Sequence, residues 1–215
     1  MTPTLRDLAE DAFAYMDGPN VELDRRAELV LRNDPTPHPM FGLALRPRLR
    51  DVDQALAETR AWFAGRGRTI YTWFVSTAST PSGLAERLLD RSLEPDQLDP
   101  VYAGMTLEHE PQGIEGVEVR RRETYEDALA AVEISWRSFD FTPEQIERAR
   151  AAHRARYELW KDDGRFDGFI ALVDGEIVGS GAARYFESGV YLMGGNVAEE
   201  ARGRGVYRSL VDSTS

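Results

Sequence analysis

Hydrophobic spacing changes character along this chain. Near the start, Leu5, Leu8, Ala9, Ala12, Phe13 and Met16 recur on one face at helical spacing, predicting a helix over Pro3–Met16 that Asp17-Gly18-Pro19-Asn20 ends. Leu23–Arg32 reads as a second helix, and Asp34-Pro35-Thr36-Pro37-His38-Pro39 as an extended linker, because proline excludes itself and its predecessor from helix. Val52, Leu56, Thr59 and Phe63 stay in helical register across Val52–Phe63. Thr69–Ser76 is rich in β-branched and aromatic residues and reads as a buried strand. Thr80 then offers an N-cap to a helix over Pro81–Leu89, with Leu84, Leu88 and Leu89 inward, and Val101–Leu107 reads as a strand.

Glu110-Pro111-Gln112-Gly113 is rich in turn formers, which places a domain boundary near residue 113 and divides the chain into 1–113 and 114–215. Beyond it, Val117–Arg121 alternates as a strand, and Thr124 caps a helix carrying Leu129, Val132, Trp136 and Phe139. Thr142-Pro143-Glu144-Gln145 has the capping-box arrangement and opens a second helix through about Trp160. Phe169–Val173 and Glu176–Tyr185 flank Asp174-Gly175, a pair suited to the positive φ angles of a tight hairpin. Val190–Val197 is a third consecutive strand, followed by a glycine- and arginine-rich loop and a helix from Val206 to Val211.

Composition narrows the function classes. The 215 residues are 42% hydrophobic and 29% charged, ordinary for a globular protein with a sizeable core. A net charge of −11 spread over both halves argues against nucleic-acid binding, which phosphate neutralisation dominates. The acidity serves solubility or favours cationic amine substrates. No apolar run of membrane-spanning length is present, and the N-terminus lacks a basic-then-apolar leader, so a cytoplasmic location is expected. The absence of cysteine removes disulfides, thiolate metal sites and cysteine nucleophiles. His38, His109 and His153 are scattered without metal-ligand spacing and read as surface residues, so no metal is expected. Trp73, Trp136 and Trp160 read as core, and Ser209 and Ser213 lack a nucleophile-elbow context. Neither G-x-G-x-x-G after the first strand nor a P-loop is present.

The segment Asn196-Val197-Ala198-Glu199-Glu200-Ala201-Arg202-Gly203-Arg204-Gly205-Val206-Tyr207 carries the chemistry. A strand that feeds a glycine loop and then a helix makes an anion site, since unpaired N–H groups of the first turn point outward and the helix dipole favours negative charge. Gly203 and Gly205 allow close approach of phosphate oxygens, and Arg202 and Arg204 add positive charge. These features imply a phosphate-bearing ligand without naming it; the bland alternative is an arginine-rich turn that merely caps a helix.

Arg202-Gly203-Arg204-Gly205-Val206-Tyr207 resembles the (Gln/Arg)-x-x-Gly-x-(Gly/Ala) loop of the GNAT superfamily of N-acetyltransferases, and the element order from Val117 onward is similar to that fold. The resemblance implies an α/β (α+β) architecture with a mixed, mainly antiparallel sheet flanked by helices, preceded by a smaller region of helices and strands. It implies acetyl-CoA as co-substrate, transfer to a primary amine by direct attack in a ternary complex, and N–H groups from Arg202 to Tyr207 on the pyrophosphate. By the same resemblance Asn196 and Val197 pair with the pantetheine arm, and Gly194-Gly195 fits the bulge at which an N–H polarises the thioester. Tyr207 departs from the family's final Gly or Ala.

The resemblance also implies a further half-domain beyond Ser215, so the chain is expected to be a shortened form of a longer protein. A remnant that binds CoA without catalysing, or serves only as a structural module, is the alternative. Thr69–Ser76, the Pro81 helix and Val101–Leu107 are similar to the later part of a degenerate second copy. Deprotonating the amine calls for a base; Glu187, Glu199 and Glu200 are candidates, with plain solvation as the alternative, and no catalytic residue is selected. Small amines, aminoglycosides, peptides and polyamines are all compatible acceptors.

Overall fold

The computed structural model describes residues 2–18, 20–34, 42–95, 104, 106–107, 109, 111–138 and 141–213. These divide into two compact units, Pro3–Thr106 and Leu107–Ser215, the latter grouped with Met1–Thr2.

In the first unit, Thr4 caps helix α1 (Leu5–Asp11) through a capping box with Asp7. The expected helix to Met16 stops short: Asp11 leaves the helical region at φ −165°, and Ala12–Ala14 forms a separate 3-10 turn. Leu8, Ala12 and Met16 are buried, whereas Leu5 is exposed.

The segment read as a helix over Leu23–Arg32 is instead a hairpin of β1 (Glu22–Arg25) and β2 (Val30–Asn33), with Leu23 paired to Arg32. The Arg26 N–H donates to the Leu29 carbonyl at 2.9 Å and closes its turn. Both faces of β2 are covered. Leu31 joins Ala44 and Phe63 in one core cluster, while Val30 joins Leu43, Leu45 and Ala14 in another. Cover on both sides also explains β3 (Gly42–Leu45), a wholly buried strand not expected from the pattern, because a short apolar run has no period to read.

Helix α2 (Val52–Ala64) forms where expected, with Val52, Leu56, Thr59 and Phe63 buried. It crosses over to β4 (Thr72–Trp73), parallel to β3. Only these two residues of Thr69–Ser76 are strand, and Ile70 is exposed, so the expected buried strand is short and half-covered. Helix α3 (Leu84–Leu89) begins after Gly83 (φ +71°) rather than at Pro81; Leu84 and Leu88 are buried, but Leu89 is exposed. Of Val101–Leu107, residues 101–103 and 105 lie outside the described residues, and Gly104, Thr106 and Leu107 are in no strand. Most of the Pro-rich linker, including His38, lies outside them too.

The second unit follows its sequence pattern closely. Strand β5 (Glu118–Arg121) leads to α4 (Tyr125–Ser138), capped by Thr124 Oγ1, which accepts the Asp127 N–H at 3.1 Å. Phe139 lies outside the described residues. Helix α5 (Pro143–Trp160) opens on the expected Thr142–Gln145 capping box. Strands β6 (Phe166–Val173), β7 (Glu176–Phe186) and β8 (Gly189–Val197) form an antiparallel meander, so the sheet order is β5-β6-β7-β8. Asp174 (φ +53°) and Gly175 (φ +82°) make the β6–β7 hairpin turn with both central residues left-handed.

A 3-10 turn at Glu199–Ala201 precedes α6 (Val206–Asp212), which buries Val206 and Leu210 in a cluster with Phe169, Ala171 and Ala183. Each such burial contributes about 2 kcal/mol to holding α6 on the sheet. The chain therefore has an α+β fold with one all-antiparallel and one mixed sheet. Among the described residues no helix is long and apolar enough to cross a membrane.

Candidate cofactor site

Strand β8 is the edge of its sheet among the described residues, and it carries a bulge where the sequence suggested one. Ser180 pairs with Asn196 and Ala182 with Met193, so Gly194 and Gly195 together oppose Gly181. Gly194 adopts φ +61°, a conformation that glycine reaches without the steric cost a side chain adds.

Beyond the bulge the ladder resumes, with the Ala198 N–H donating to the Val178 carbonyl at 2.8 Å. Hydrogen-bond direction alternates along an antiparallel strand, so Val197 turns its own N–H and C=O to the open edge and Asn196 turns its to β7. Arg202 reaches that edge: its Nε donates to the Val197 carbonyl at 3.3 Å. The Asn196 side chain donates to the Gly194 carbonyl at 2.9 Å and braces the bulge.

The loop after β8 delivers the chain to the start of α6 in two left-handed steps, Gly203 and Gly205, both at φ +77°. The first bond of the α6 ladder runs from the Ser209 N–H to the Gly205 carbonyl at 3.1 Å. The N–H groups of Val206, Tyr207 and Arg208 therefore precede the ladder and are free for an external acceptor. Arg202, Gly203 and Arg204 are exposed, while Ala201 and Val206 anchor the two ends of the loop in the core.

From below, Ile114 fills the space beside Gly205: a Cβ there would stand 2.4 Å from Ile114 Cγ1. The Ile114 N–H donates to the buried Ser209 Oγ at 3.0 Å, which gives that serine a structural role. Tyr207, the departure from the family pattern, turns its ring onto Gly195 of the bulge and is 52% exposed.

Glu187, Glu199 and Glu200 are exposed, in keeping with solvated carboxylates. His109 is exposed, but His153 is half-buried between the rings of Tyr125 and Trp136, at 5.6 and 6.0 Å, which corrects the expectation of a surface histidine. Its pKa is lowered, first by burial and then by the charges of Arg122 and Arg156. Trp73, Trp136 and Trp160 are partly buried rather than fully enclosed. Among the described residues no group of three His, Asp or Glu side chains is placed to hold a metal ion.

The assembled features are an antiparallel meander with a bulged edge strand, a glycine loop and a helix N-terminus. Together they define the fold of the GCN5-related N-acetyltransferases. The structure is similar to a GCN5-related N-acetyltransferase from Kribbella flavida (TM-score 0.62, 16% identity, 98% of this chain and 80% of that one). It is similar to a conserved protein of unknown function from Staphylococcus epidermidis ATCC 12228 (TM-score 0.60, 12% identity, 93% and 79%). A third likeness is to a tandem GNAT protein from the clavulanic acid biosynthesis pathway, solved without acetyl-CoA (TM-score 0.50, 17% identity, 91% and 70%). No protein-family model and no curated protein matches the chain. At identities this low the likenesses establish the fold alone, over nearly the whole chain.

Proposed function

We propose that this protein transfers an acetyl group from acetyl-CoA to a primary amine, and that only the second unit holds the cofactor. The observation that carries this reading is the continuity of three features: the Gly194-Gly195 bulge, the outward-facing Val197 backbone and the unladdered N–H groups of Val206 and Tyr207. A pantetheine arm adds to the open edge at Val197, as an extended ligand adds to an edge strand. The pyrophosphate accepts from N–H groups over Gly203–Tyr207, since the Arg202 N–H is held by the Glu199 carbonyl at 3.2 Å, with the Arg202 and Arg204 side chains supplying charge and Asn196 holding the bulge. At the bulge, a backbone N–H donates to the thioester oxygen as charge develops there. The amine attacks the thioester carbon, loses its proton to solvent or a carboxylate, and CoA leaves as the thiol.

The first unit repeats the architecture without the chemistry. Its β1-β2-β3-α2 order matches β6-β7-β8-α6, an antiparallel meander followed by a helix. Where the second unit has glycines and open N–H groups, the first has its own carboxylates. Asp51 Oδ1 accepts the Gln54 N–H at 3.0 Å, and Glu28 Oε2 accepts the Arg50 N–H at 2.9 Å. Two negative groups at that helix start repel a pyrophosphate. This unit, residues 1–113 in the sequence division, is a degenerate repeat in our reading.

The chain has no cysteine, so a thiol reagent reports only released CoA. Acetyl-CoA with a panel of primary amines is expected to release thiol in proportion to acetylated amine. Thiol release that ignores the amine would mean hydrolysis and would count against transfer.

A further inference from the structure

Three consecutive arginines leave β5, and the fold treats them differently. Arg120 binds Asp127 with both terminal nitrogens at 2.7 Å, and Arg121 pairs with Asp167 at 3.0 Å. Arg122 has no ion pair among the described residues, in a chain with 37 acidic and 26 basic residues. Among the described residues, Asp127 and Asp167 act on this guanidinium only as neighbouring charges, each being paired to another arginine.

Arg122 is not a solvent-facing side chain. A Cβ built on Gly168 would stand 1.7 Å from both Nε and Nη2 and 1.9 Å from Cζ. Because Cζ is farther than both nitrogens, it is the Nε–Nη2 edge of the guanidinium that lies against that glycine. Glycine inside a strand weakens it and commonly marks a close approach, and here the approaching group is Arg122. The Phe166 ring lies 5.8 Å away. With that edge on the strand, Nη1 is turned away from Gly168 and is the donor left for a charge-assisted hydrogen bond to a carboxylate.

Beside it stands one polar atom that has no hydrogen bond among the described residues. His153 Nδ1 is buried with no hydrogen bond, a costly arrangement unless a ligand completes it. Tyr125 bridges the cluster, 5.6 Å from His153 and 5.4 Å from Tyr157 between ring centroids. Arg122, Tyr125, His153 and Tyr157 are all partly exposed, so a ligand has access.

The cluster faces the right side of the sheet and lies in the right row. Ser180 Oγ donates to the Ala131 carbonyl of α4, so the even positions of β7 face α4. Gly168 pairs with Ala182, and Ala182 with Met193, the residue before the bulge. With strands about 4.8 Å apart, the seat of Arg122 is about 10 Å from the strand on which the acyl group is to be polarised.

We propose that Arg122, seated on Gly168 beside His153 and Tyr157, binds a carboxylate of the acceptor, so that the substrate class is amines that also carry a carboxylate. The role in transfer rests on the acetyl-CoA reading; the binding of a carboxylate does not.

The test is an NMR titration of the full chain, following the His153 ring resonance (assigned with His153→Gln), with succinate and with neutral succinamide. Calorimetry with acetyl-CoA runs in parallel on the same samples. Succinate is expected to move the resonance to saturation, succinamide is not, and Arg122→Gln should weaken succinate about tenfold or more. Arg122→Lys, which keeps the charge but loses the planar fork, should fall between. If succinate moves His153 no more than succinamide does, or binds Arg122→Gln equally well, the assignment is overturned, whatever acetyl-CoA does. Succinate binding without acetyl-CoA binding would support the carboxylate site and count against the transfer reading alone.

Discussion

The Tyr207 ring rests on Gly195 so closely that a Cβ there would stand 2.2 Å from its Cε2 atom. The first turn of α6 and the bulged edge strand are thereby held against each other where the proposed cofactor passes from pyrophosphate to pantetheine. Gly195→Ala should cost about 1–3 kcal/mol by overpacking. Tyr207→Ala in the same chain should recover most of that loss. Thermal melts of the two single variants and the double variant give the coupling, and additive losses would show that the ring and the bulge are independent.

Gly205 is constrained from two sides, by φ +77° and by Ile114 at 2.4 Å from its missing Cβ. Gly205→Ala is expected to destabilise the second unit by about 3 kcal/mol, the sum of left-handed strain and steric conflict. Ile114→Ala should relieve only the steric part. Urea midpoints on the two single variants and the double variant check this; a Gly205→Ala chain as stable as wild type would refute the close fit.

Asp127 joins β5 to the start of α4. It takes both Arg120 nitrogens at 2.7 Å and the Glu123 N–H at 3.1 Å. The Arg120 hydrogen bonds, followed by the backbone N–H groups of Glu123 and Thr124 and the charge of Arg120, outweigh burial and hold its pKa far below the carboxylate range. A lowered folded pKa stabilises fully above the unfolded value, so this contribution begins to fall near about pH 4 and is lost progressively as pH drops through the much lower folded value. Asp127→Asn should cost about 2 kcal/mol at neutral pH, discounted for the half-exposed Arg120, and flatten the acid limb of stability against pH. A variant with the wild-type acid limb would mean that other carboxylates govern it.

Asp11 behaves in the opposite sense. Burial pushes its carboxyl up to about 7, only partly offset by the backbone N–H groups of Arg46 and Ala14. A raised pKa means the folded chain holds a proton that the unfolded chain has released, so stability falls as pH rises from about 4 towards 7. Asp11→Asn should remove that slope and gain at most about 4 kcal/mol at pH 8 relative to pH 4. Urea denaturation at both pH values gives the difference directly, and an unchanged slope would show that Asp11 ionises freely.

The second unit was legible because its punctuation is local: Asp174-Gly175 and the Thr142–Gln145 box each announce their element within a few residues. The first unit misled because tertiary cover decided it. Nothing in Arg26-Ala27-Glu28 signals a turn, so the hairpin from Glu22 to Asn33 read as a helix, and β3 showed no alternation because both of its faces are buried. The glycine loop could be found from sequence for the same reason as the hairpin turn, since its conformation demands glycine at Gly203 and Gly205. The Arg122 cluster could not, because residues 122, 153 and 168 meet only in the fold. Its one trace was Gly168, the residue just before the strand expected over Phe169–Val173.

The central claim is that the loop from Arg202 to Tyr207 holds acetyl-CoA. Calorimetric titration of acetyl-CoA into the chain tests it most directly, alongside Gly203→Asp, which places a carboxylate in open space at a left-handed position that aspartate tolerates. The account predicts saturable binding to the wild-type chain and at least a tenfold loss, about 1.4 kcal/mol, in a variant that melts as wild type does. Equal binding by both chains, or none by a folded wild-type chain, would contradict it.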